Sequence, residues 1–321
     1  MLSFFAKRSL RSYLLLPFSC LFLLIVRCRQ KWIKSHNFAQ YAIVIGNATI
    51  GGGGKTPSSL AMGKVLSDIG YNYNYLTKGY KGSIVGPAVI NLTEDTVLQT
   101  GDEARLLAKQ QKTFIAKQRH KAIAFLKDNA EEIIILDDGF QNIHINCDLN
   151  ILVIDEHYGF GNGLILPAGP LRDTIDWHIA KADCIFIVSN LDADLNSSLT
   201  KRLSSKPIFY LKARLISEID LSKNYLVFSA LANNTKFSKF LLEHKVNISQ
   251  VINYNDHHKY SSKDYEDIIA KAKAQDLSII TTEKDAVKID DTQLHDYVIC
   301  RMQLEFANKE DFIKFIKNKL K

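Results

Sequence analysis

Short uninterrupted apolar runs, each bounded by polar residues, organise the chain after its first few dozen positions. Tyr41-Ala42-Ile43-Val44-Ile45, Ile133-Ile134-Ile135-Leu136, Ile151-Leu152-Val153-Ile154 and Cys184-Ile185-Phe186-Ile187-Val188 are the clearest. Runs of this length and β-branched content predict parallel strands covered on both faces. Ser58 to Ile69 reads as a helix. Strands alternating with helices predict a doubly wound, mainly parallel α/β domain. A second set, Tyr225-Leu226-Val227-Phe228, Val251-Ile252-Asn253-Tyr254 and Leu277-Ser278-Ile279-Ile280-Thr281, predicts a smaller α/β domain. The stretch 191–206, rich in Ser, Asp and Lys, reads as exposed helix or linker. The boundary falls near residue 215, giving 37–215 for the larger domain and 216–321 for the smaller. No internal repeat interrupts this scheme.

The first 36 residues follow a different pattern. Tyr13 to Val26 is apolar apart from Pro17, Ser19 and Cys20, and basic clusters flank it on both sides. As a helix, this 14-residue run reaches roughly 21 Å, short against a hydrocarbon core of about 30 Å. Arg27-Cys28-Arg29-Gln30-Lys31 follows it, where a cleaved signal peptide would carry small residues. Basic residues on both sides suit a helix lying in an anionic membrane surface. The competing reading is a buried first helix of the globular fold.

Net charge sharpens the contrast. The chain carries +7 in 321 residues, and Lys7, Arg8, Arg11, Arg27, Arg29, Lys31 and Lys34 supply all of it, with no acidic residue among the first 36. Basic and acidic residues balance in the remainder, which disfavours a nucleic-acid-binding body. Cys20, Cys28, Cys147, Cys184 and Cys300 form no Cys-x-x-Cys pair. This argues against a zinc site or a disulfide framework and fits a reducing compartment.

The densest chemistry follows the first strand. Gly51-Gly52-Gly53-Gly54-Lys55-Thr56 stands between a buried strand and a helix. Glycines let backbone N–H groups curl around phosphate oxygens, and the helix N-terminus adds its positive end. In such a loop Lys55 reaches the β- and γ-phosphates and the Thr56 hydroxyl ligates Mg²⁺. Pro57 suits the first helical turn. The strict pattern requires glycine at position 49, where this chain has Thr49. The strand 133–136 ends at Asp137-Asp138 and offers the carboxylate that a phosphate-binding loop needs beside its metal. Asp138 is the expected metal-shell residue, with Asp137 adjacent.

These segments resemble the tetraacyldisaccharide 4′-kinase family, the lipid A 4′-kinases of Gram-negative bacteria. The resemblance rests on an ordered series. It begins with Val44-Ile45-Gly46-Asn47-Ala48-Thr49-Ile50 leading into Gly51–Pro57, then Thr77-Lys78-Gly79-Tyr80, Gly101-Asp102-Glu103 and Leu136-Asp137-Asp138-Gly139-Phe140-Gln141. It continues through Gly159-Phe160-Gly161-Asn162-Gly163, Leu166-Pro167-Ala168-Gly169-Pro170-Leu171-Arg172, Asp256-His257-His258 and Thr281-Thr282-Glu283-Lys284-Asp285-Ala286-Val287. That family also lacks the first loop glycine, so Thr49 fits it. Two positions depart from it: Asn142 stands where the family usually has His, and Lys78 where it usually has Arg. Lysine keeps the charge but loses bidentate geometry.

The resemblance implies a P-loop kinase fold with a membrane-associated helix over 1–36. It implies transfer of the ATP γ-phosphoryl group, with Mg²⁺, to the 4′-hydroxyl of a tetraacylated glucosamine disaccharide 1-phosphate. Asp102 is the implied base, His257 its orienting partner, Lys55 the phosphate contact, and Glu103 a neighbour able to hold Mg²⁺. Thr56 and Asp138 complete the metal set. Asn47, Lys78, Arg119, Gln141, Asn142 and Arg172 are implied substrate contacts. Arg119 reads equally as an exposed helix arginine, and Arg172 as a loop cap. The implied location is the cytoplasmic face of the bacterial inner membrane, peripheral or monotopic, with the lipid A precursor as partner and no nucleic acid or obligate protein partner. A non-catalytic P-loop module or a membrane-tethered regulatory NTPase is the alternative. A GTPase is disfavoured, since no Asp-x-x-Gly occurs.

Overall fold

The computed structural model describes residues 3–51, 53–189, 201–231, 234–256, 258–289 and 297–321. Most of the expected linker 191–206 therefore lies outside the described residues. The chain forms two compact units, Met1–Ala213 with Leu304–Lys321, and Arg214–Gln303. Both are mixed α/β with parallel sheets.

The first unit is built on a nine-stranded sheet. From edge to edge its strands are Met302–Phe306, Ile208–Leu215, Cys184–Ser189, Leu149–Asp155, Tyr41–Asn47, Ile133–Asp137, Tyr73–Thr77, Thr113–Ile115 and Ala88–Val89. The strands from Ile208–Leu215 across to Thr113–Ile115 pair parallel, and Ala88–Val89 closes one edge antiparallel. Alternation along each strand divides the core between two faces. Val44, Leu76, Ile134, Leu136, Leu152 and Ile185 pack on one face. Ile43, Ile45, Tyr75, Ile135, Ile151 and Phe186 pack on the other. The central strand Tyr41–Asn47 runs between Ile133–Asp137 and Leu149–Asp155, both reached later in the chain. Open parallel sheets take ligands at the carboxyl ends of strands at such a reversal.

Several strands carry no continuous apolar run and escape the sequence pattern. Tyr73–Thr77 contains Asn74, fully buried, whose side-chain oxygen accepts from Glu131 N at 2.7 Å. Leu304 to Phe306, the end of the last strand, and the helix Lys309–Lys319 fall in the range expected for the smaller domain, yet they complete the larger one. The reason is aromatic packing. Phe312 is fully buried, stacked on Phe306 at 4.2 Å between centroids and edge-on to Phe186 and Phe209 at 5.2 and 4.9 Å.

The second unit has a four-stranded parallel sheet ordered Asn247–Asn253, Asn224–Ser229, Ser278–Thr282, Tyr297–Cys300. Leu226, Phe228, Tyr265, Ile268 and Ile279 form its core.

The N-terminal arm folds as two helices, Leu10–Leu14 and Leu16–Trp32, with Pro17 in the first turn of the second. The most buried side chains of these helices are polar. Ser19 is buried, donates to the Ile165 carbonyl at 2.8 Å and accepts from Ala168 N at 3.1 Å. Arg27 pairs with buried Asp173 at 2.7 Å. Its exposed side carries Leu14, Phe18, Leu21, Leu24, Ile25 and Trp32, the last 88% exposed. Among the described residues, no helix is long and apolar enough to cross a membrane.

Phe312→Ala empties a fully buried aromatic site. We expect a loss of about 3–5 kcal/mol in unfolding free energy, measured by urea denaturation. A loss below 1 kcal/mol would mean that the C-terminal helix is not part of this core.

Candidate active site

The Tyr41–Asn47 strand leads through a glycine turn into the helix Lys55–Asp68. Gly54 sits in the left-handed region at φ 76°, where a side chain is strained. A Cβ on Gly53 would lie 2.6 Å from Asn47 Nδ2, so the turn closes directly on that side chain. Asn47 in turn donates to the Gly51 carbonyl at 3.4 Å. Gly52 lies outside the described residues. The helix begins earlier than the expected Ser58, so Lys55 and Thr56 occupy its first turn. Lys55 Nζ donates to the Gly51 carbonyl at 3.2 Å.

The two acidic residues ending Ile133–Asp137 have separate surroundings. Asp137 points inward and is buried. Its carboxylate accepts from the hydroxyls of Thr56 at 2.9 Å and Ser59 at 2.8 Å. Burial, with Glu103 nearby, pushes its pKa up to about 6, against the pull of those hydrogen bonds. Asp138, at φ 51°, turns the chain out of the strand. Its Oδ1 lies 3.6 Å from Arg172 Nη1 and 3.8 Å from Lys55 Nζ. Burial works to raise the Asp138 pKa, but Lys55, Arg172, Arg119 and Lys78 together outweigh it and hold the carboxyl below its ordinary value. Four cations thus converge on one carboxylate.

Arg119 is no surface helix arginine. It is buried, and its guanidinium donates to the carbonyls of Asp137 and, at 3.1 Å, Asp138. Arg172 donates to Gln141 Oε1 at 3.0 Å, and the Gln141 amide nitrogen donates to the Asn47 carbonyl. Asn142 turns its side-chain oxygen to a local N–H, that of His144 at 2.9 Å. Asp102 is buried at the start of the helix Asp102–Ala108 and accepts from Glu103 N at 3.0 Å. Gly101, at φ 85°, would place a Cβ 2.3 Å from the Tyr80 carbonyl. The 77–80 and 101–103 motifs are therefore packed backbone to backbone. His257, the expected partner of Asp102, lies outside the described residues.

Lys55, Thr56, Asp137, Asp138, Arg119, Gln141, Arg172 and Asn47 are thus joined at the carboxyl ends of the central strands. Sequence reasoning missed Ser59. Its signal was spacing, because Ser59 stands three residues after Thr56 on one helical face. No group of three or more His, Cys, Asp or Glu side chains able to hold a metal occurs among the described residues. An oxygen-bound Mg²⁺ takes one or two protein carboxylates and completes its shell with phosphates and water. The buried Asp138 Oδ1, which has no hydrogen-bond donor, fits such a role.

Fold and site together define a mixed α/β protein whose central strand passes through a tight glycine turn into a helix, with cations gathered at the turn. The chain belongs to the tetraacyldisaccharide-1-P 4′-kinase family, whose model matches residues 11–321. It is 32% identical over 280 residues to the tetraacyldisaccharide 4′-kinase of Bartonella tribocorum, covering 85% of this chain and 80% of that one. It is 32% identical over 290 residues to that of Paramagnetospirillum magneticum, covering 89% and 88%. The crystal structure of LpxK from Aquifex aeolicus in complex with ATP shares the fold at a TM-score of 0.77 and 24% identity, covering 97% of this chain and 99% of that one.

The Asp137 environment yields a test in the apo protein. A carboxyl whose folded pKa is raised holds its proton more tightly when folded, so its contribution to stability is lost as pH rises from 3.8 towards 6. Asp137→Asn removes that loss. We expect the variant to be more stable than wild type at pH 7.5, by up to roughly 3 kcal/mol, with the gap closing towards pH 4. Urea denaturation at the two pH values checks this; a gap that does not change with pH would contradict it.

Proposed function

We propose that this protein transfers the γ-phosphoryl group of ATP to the 4′-hydroxyl of a tetraacylated glucosamine disaccharide 1-phosphate, a step of lipid A biosynthesis. The observation that carries the reading is the gathering of Lys55, Lys78, Arg119 and Arg172 around Asp138, beside a turn where a side chain on Gly53 would run into Asn47. A surplus of cations at a strand terminus suits a polyphosphate. Phosphoryl transfer asks mainly for positioning and charge neutralisation.

The glycine turn and the helix N-terminus hold the phosphates, and Lys55 supplies charge at the transferring group. Thr56, Asp138 and Glu103 are the proposed metal-shell residues, and the Thr56 hydrogen bond adds Asp137 to them. Mg²⁺, when bound, neutralises phosphate charge. Asp102 takes the proton of the sugar hydroxyl. Arg172 and Lys78 contact phosphate oxygens. Arg119 acts from behind, holding the Asp137-Asp138 corner through its carbonyls.

The arm supports a peripheral or monotopic position on the cytoplasmic face of the inner membrane. An acylated sugar leaves a bilayer at a cost of roughly 0.8 kcal/mol per CH₂, so the enzyme goes to the surface. The arm docks through Ser19 and Arg27, and Leu14, Phe18, Leu21, Leu24 and Ile25, flanked by Arg and Lys, face outward.

An assay with γ-labelled ATP and tetraacyldisaccharide 1-phosphate in detergent tests the activity. Asp102→Ala and Lys55→Ala should each lower kcat by about 10²–10³-fold or more. No label transfer by folded wild type would sink the reading, and an unaffected Asp102→Ala would point to a different base. For the membrane, replacing Leu21, Leu24 and Ile25 together by Ser should abolish co-sedimentation with anionic vesicles. Transfer to detergent-dispersed substrate should stay within about twofold, as expected for a change on the solvent-facing side of the arm.

A further inference from the structure

One buried imidazole in the first unit has no place in the chemistry above. His178 lies on the helix Ile175–Lys181, is fully buried, and stacks on Phe140 at 5.9 Å with Trp177 edge-on at 5.0 Å. Its two nitrogens have different partners. Nδ1 lies 2.8 Å from the Thr174 carbonyl oxygen, which only accepts, so Nδ1 carries the hydrogen. Burial favours the neutral ring and pushes its pKa down to about 4. Nε2 is left with a lone pair and nothing to donate.

That lone pair dictates what the neighbouring amide does. The Gln141 amide nitrogen lies 3.4 Å from His178 Nε2 and also donates to the Asn47 carbonyl. Both of its hydrogens are thereby directed, and Oε1 is turned to the opposite side. There it accepts from Arg172 Nη1 at 3.0 Å, and Arg172 stands 3.6 Å from Asp138 Oδ1. Reversing the amide would set its oxygen against two acceptors and its hydrogens against a guanidinium. Each of those contacts is repulsive, and burial magnifies the cost.

We infer that His178 is a positioning residue for phosphoryl transfer: by presenting a lone pair it fixes the orientation of the Gln141 amide and so holds the Arg172 guanidinium beside Asp138. This rests on the proposed reading of Arg172 and Asp138 as the phosphate end of the site. The role needs an acceptor at the Nε2 position, whereas a packing role needs only a ring.

The test is steady-state kinetics with ATP, Mg²⁺ and tetraacyldisaccharide 1-phosphate on His178→Phe, His178→Gln, Arg172→Ala and the His178→Phe/Arg172→Ala double variant. His178→Phe keeps the ring and loses the acceptor. Its kcat should fall about tenfold with the lipid KM within twofold, a pattern that marks an interaction made in the transition state. His178→Gln restores an acceptor near Nε2 and should return kcat to within about threefold of wild type. Against the Arg172→Ala background, His178→Phe should cost less than twofold, because residues acting as one unit are not additive. Wild-type kcat in His178→Phe, or the same tenfold loss with Arg172 already removed, overturns the proposal. If His178→Phe does not fold, the half-buried Gln141→Met takes its place with the same expected loss, and wild-type activity there overturns the proposal equally. Wild-type kcat in Arg172→Ala overturns the proposal by a separate route, because it removes Arg172 from the phosphate site itself.

Discussion

A carboxylate withdrawn from water must find donors, and at the end of the Ile133–Asp137 strand the donors come from another element. Asp137 takes the hydroxyls of Thr56 and Ser59, one turn apart on the helix that follows the glycine loop. That pair of bonds fixes the helix against the strand edge. It therefore fixes where the first helical turn, with Lys55, stands relative to the neighbouring strand tips. Asp138 is swung outward by the same corner, and the surrounding cations are arranged about it.

The corner is braced by further hydrogen bonds. The buried guanidinium of Arg119 grips both carbonyls of the Asp-Asp pair. The Gln141 amide ties Arg172 to the carbonyl of Asn47, at the tip of the central strand. Charge and backbone are thus locked together. This suits chemistry that depends on placing fixed positive charge where negative charge develops.

The arm keeps polar residues at its most buried positions and leaves much of its apolar surface outside. Its small polar residues, Ser12 and Ser19, are buried against the body, Leu15, Leu16, Phe22 and Leu23 are half-buried, and Leu10, Leu14, Phe18, Leu21 and Leu24 lie outside. A helix folding only for stability would bury the apolar side. The exposed side is what supports the proposed position at a membrane surface.

Some of this was determined by the sequence alone. The continuous apolar runs at 41–45, 133–136, 151–154 and 184–188 could only be strands covered on both faces, since nothing polar interrupts them. The α/β class followed from that pattern, and the ordered motifs identified the family. What the sequence left open depended on partners far away in the chain. Asn74 reads as a strand breaker until Glu131 N is seen to satisfy it. The C-terminal helix reads as part of the second domain until Phe312 is seen stacked among Phe186, Phe209 and Phe306. Asp137 and Asp138 are equal in the sequence. Only the fold turns one towards two hydroxyls and the other towards four cations, because Asp137 ends the strand against the helix while Asp138, at φ 51°, turns the chain out of it. Arg119 and His178 carry no local signal at all. Their roles come from burial and from which lone pairs and carbonyls the tertiary structure brings to them.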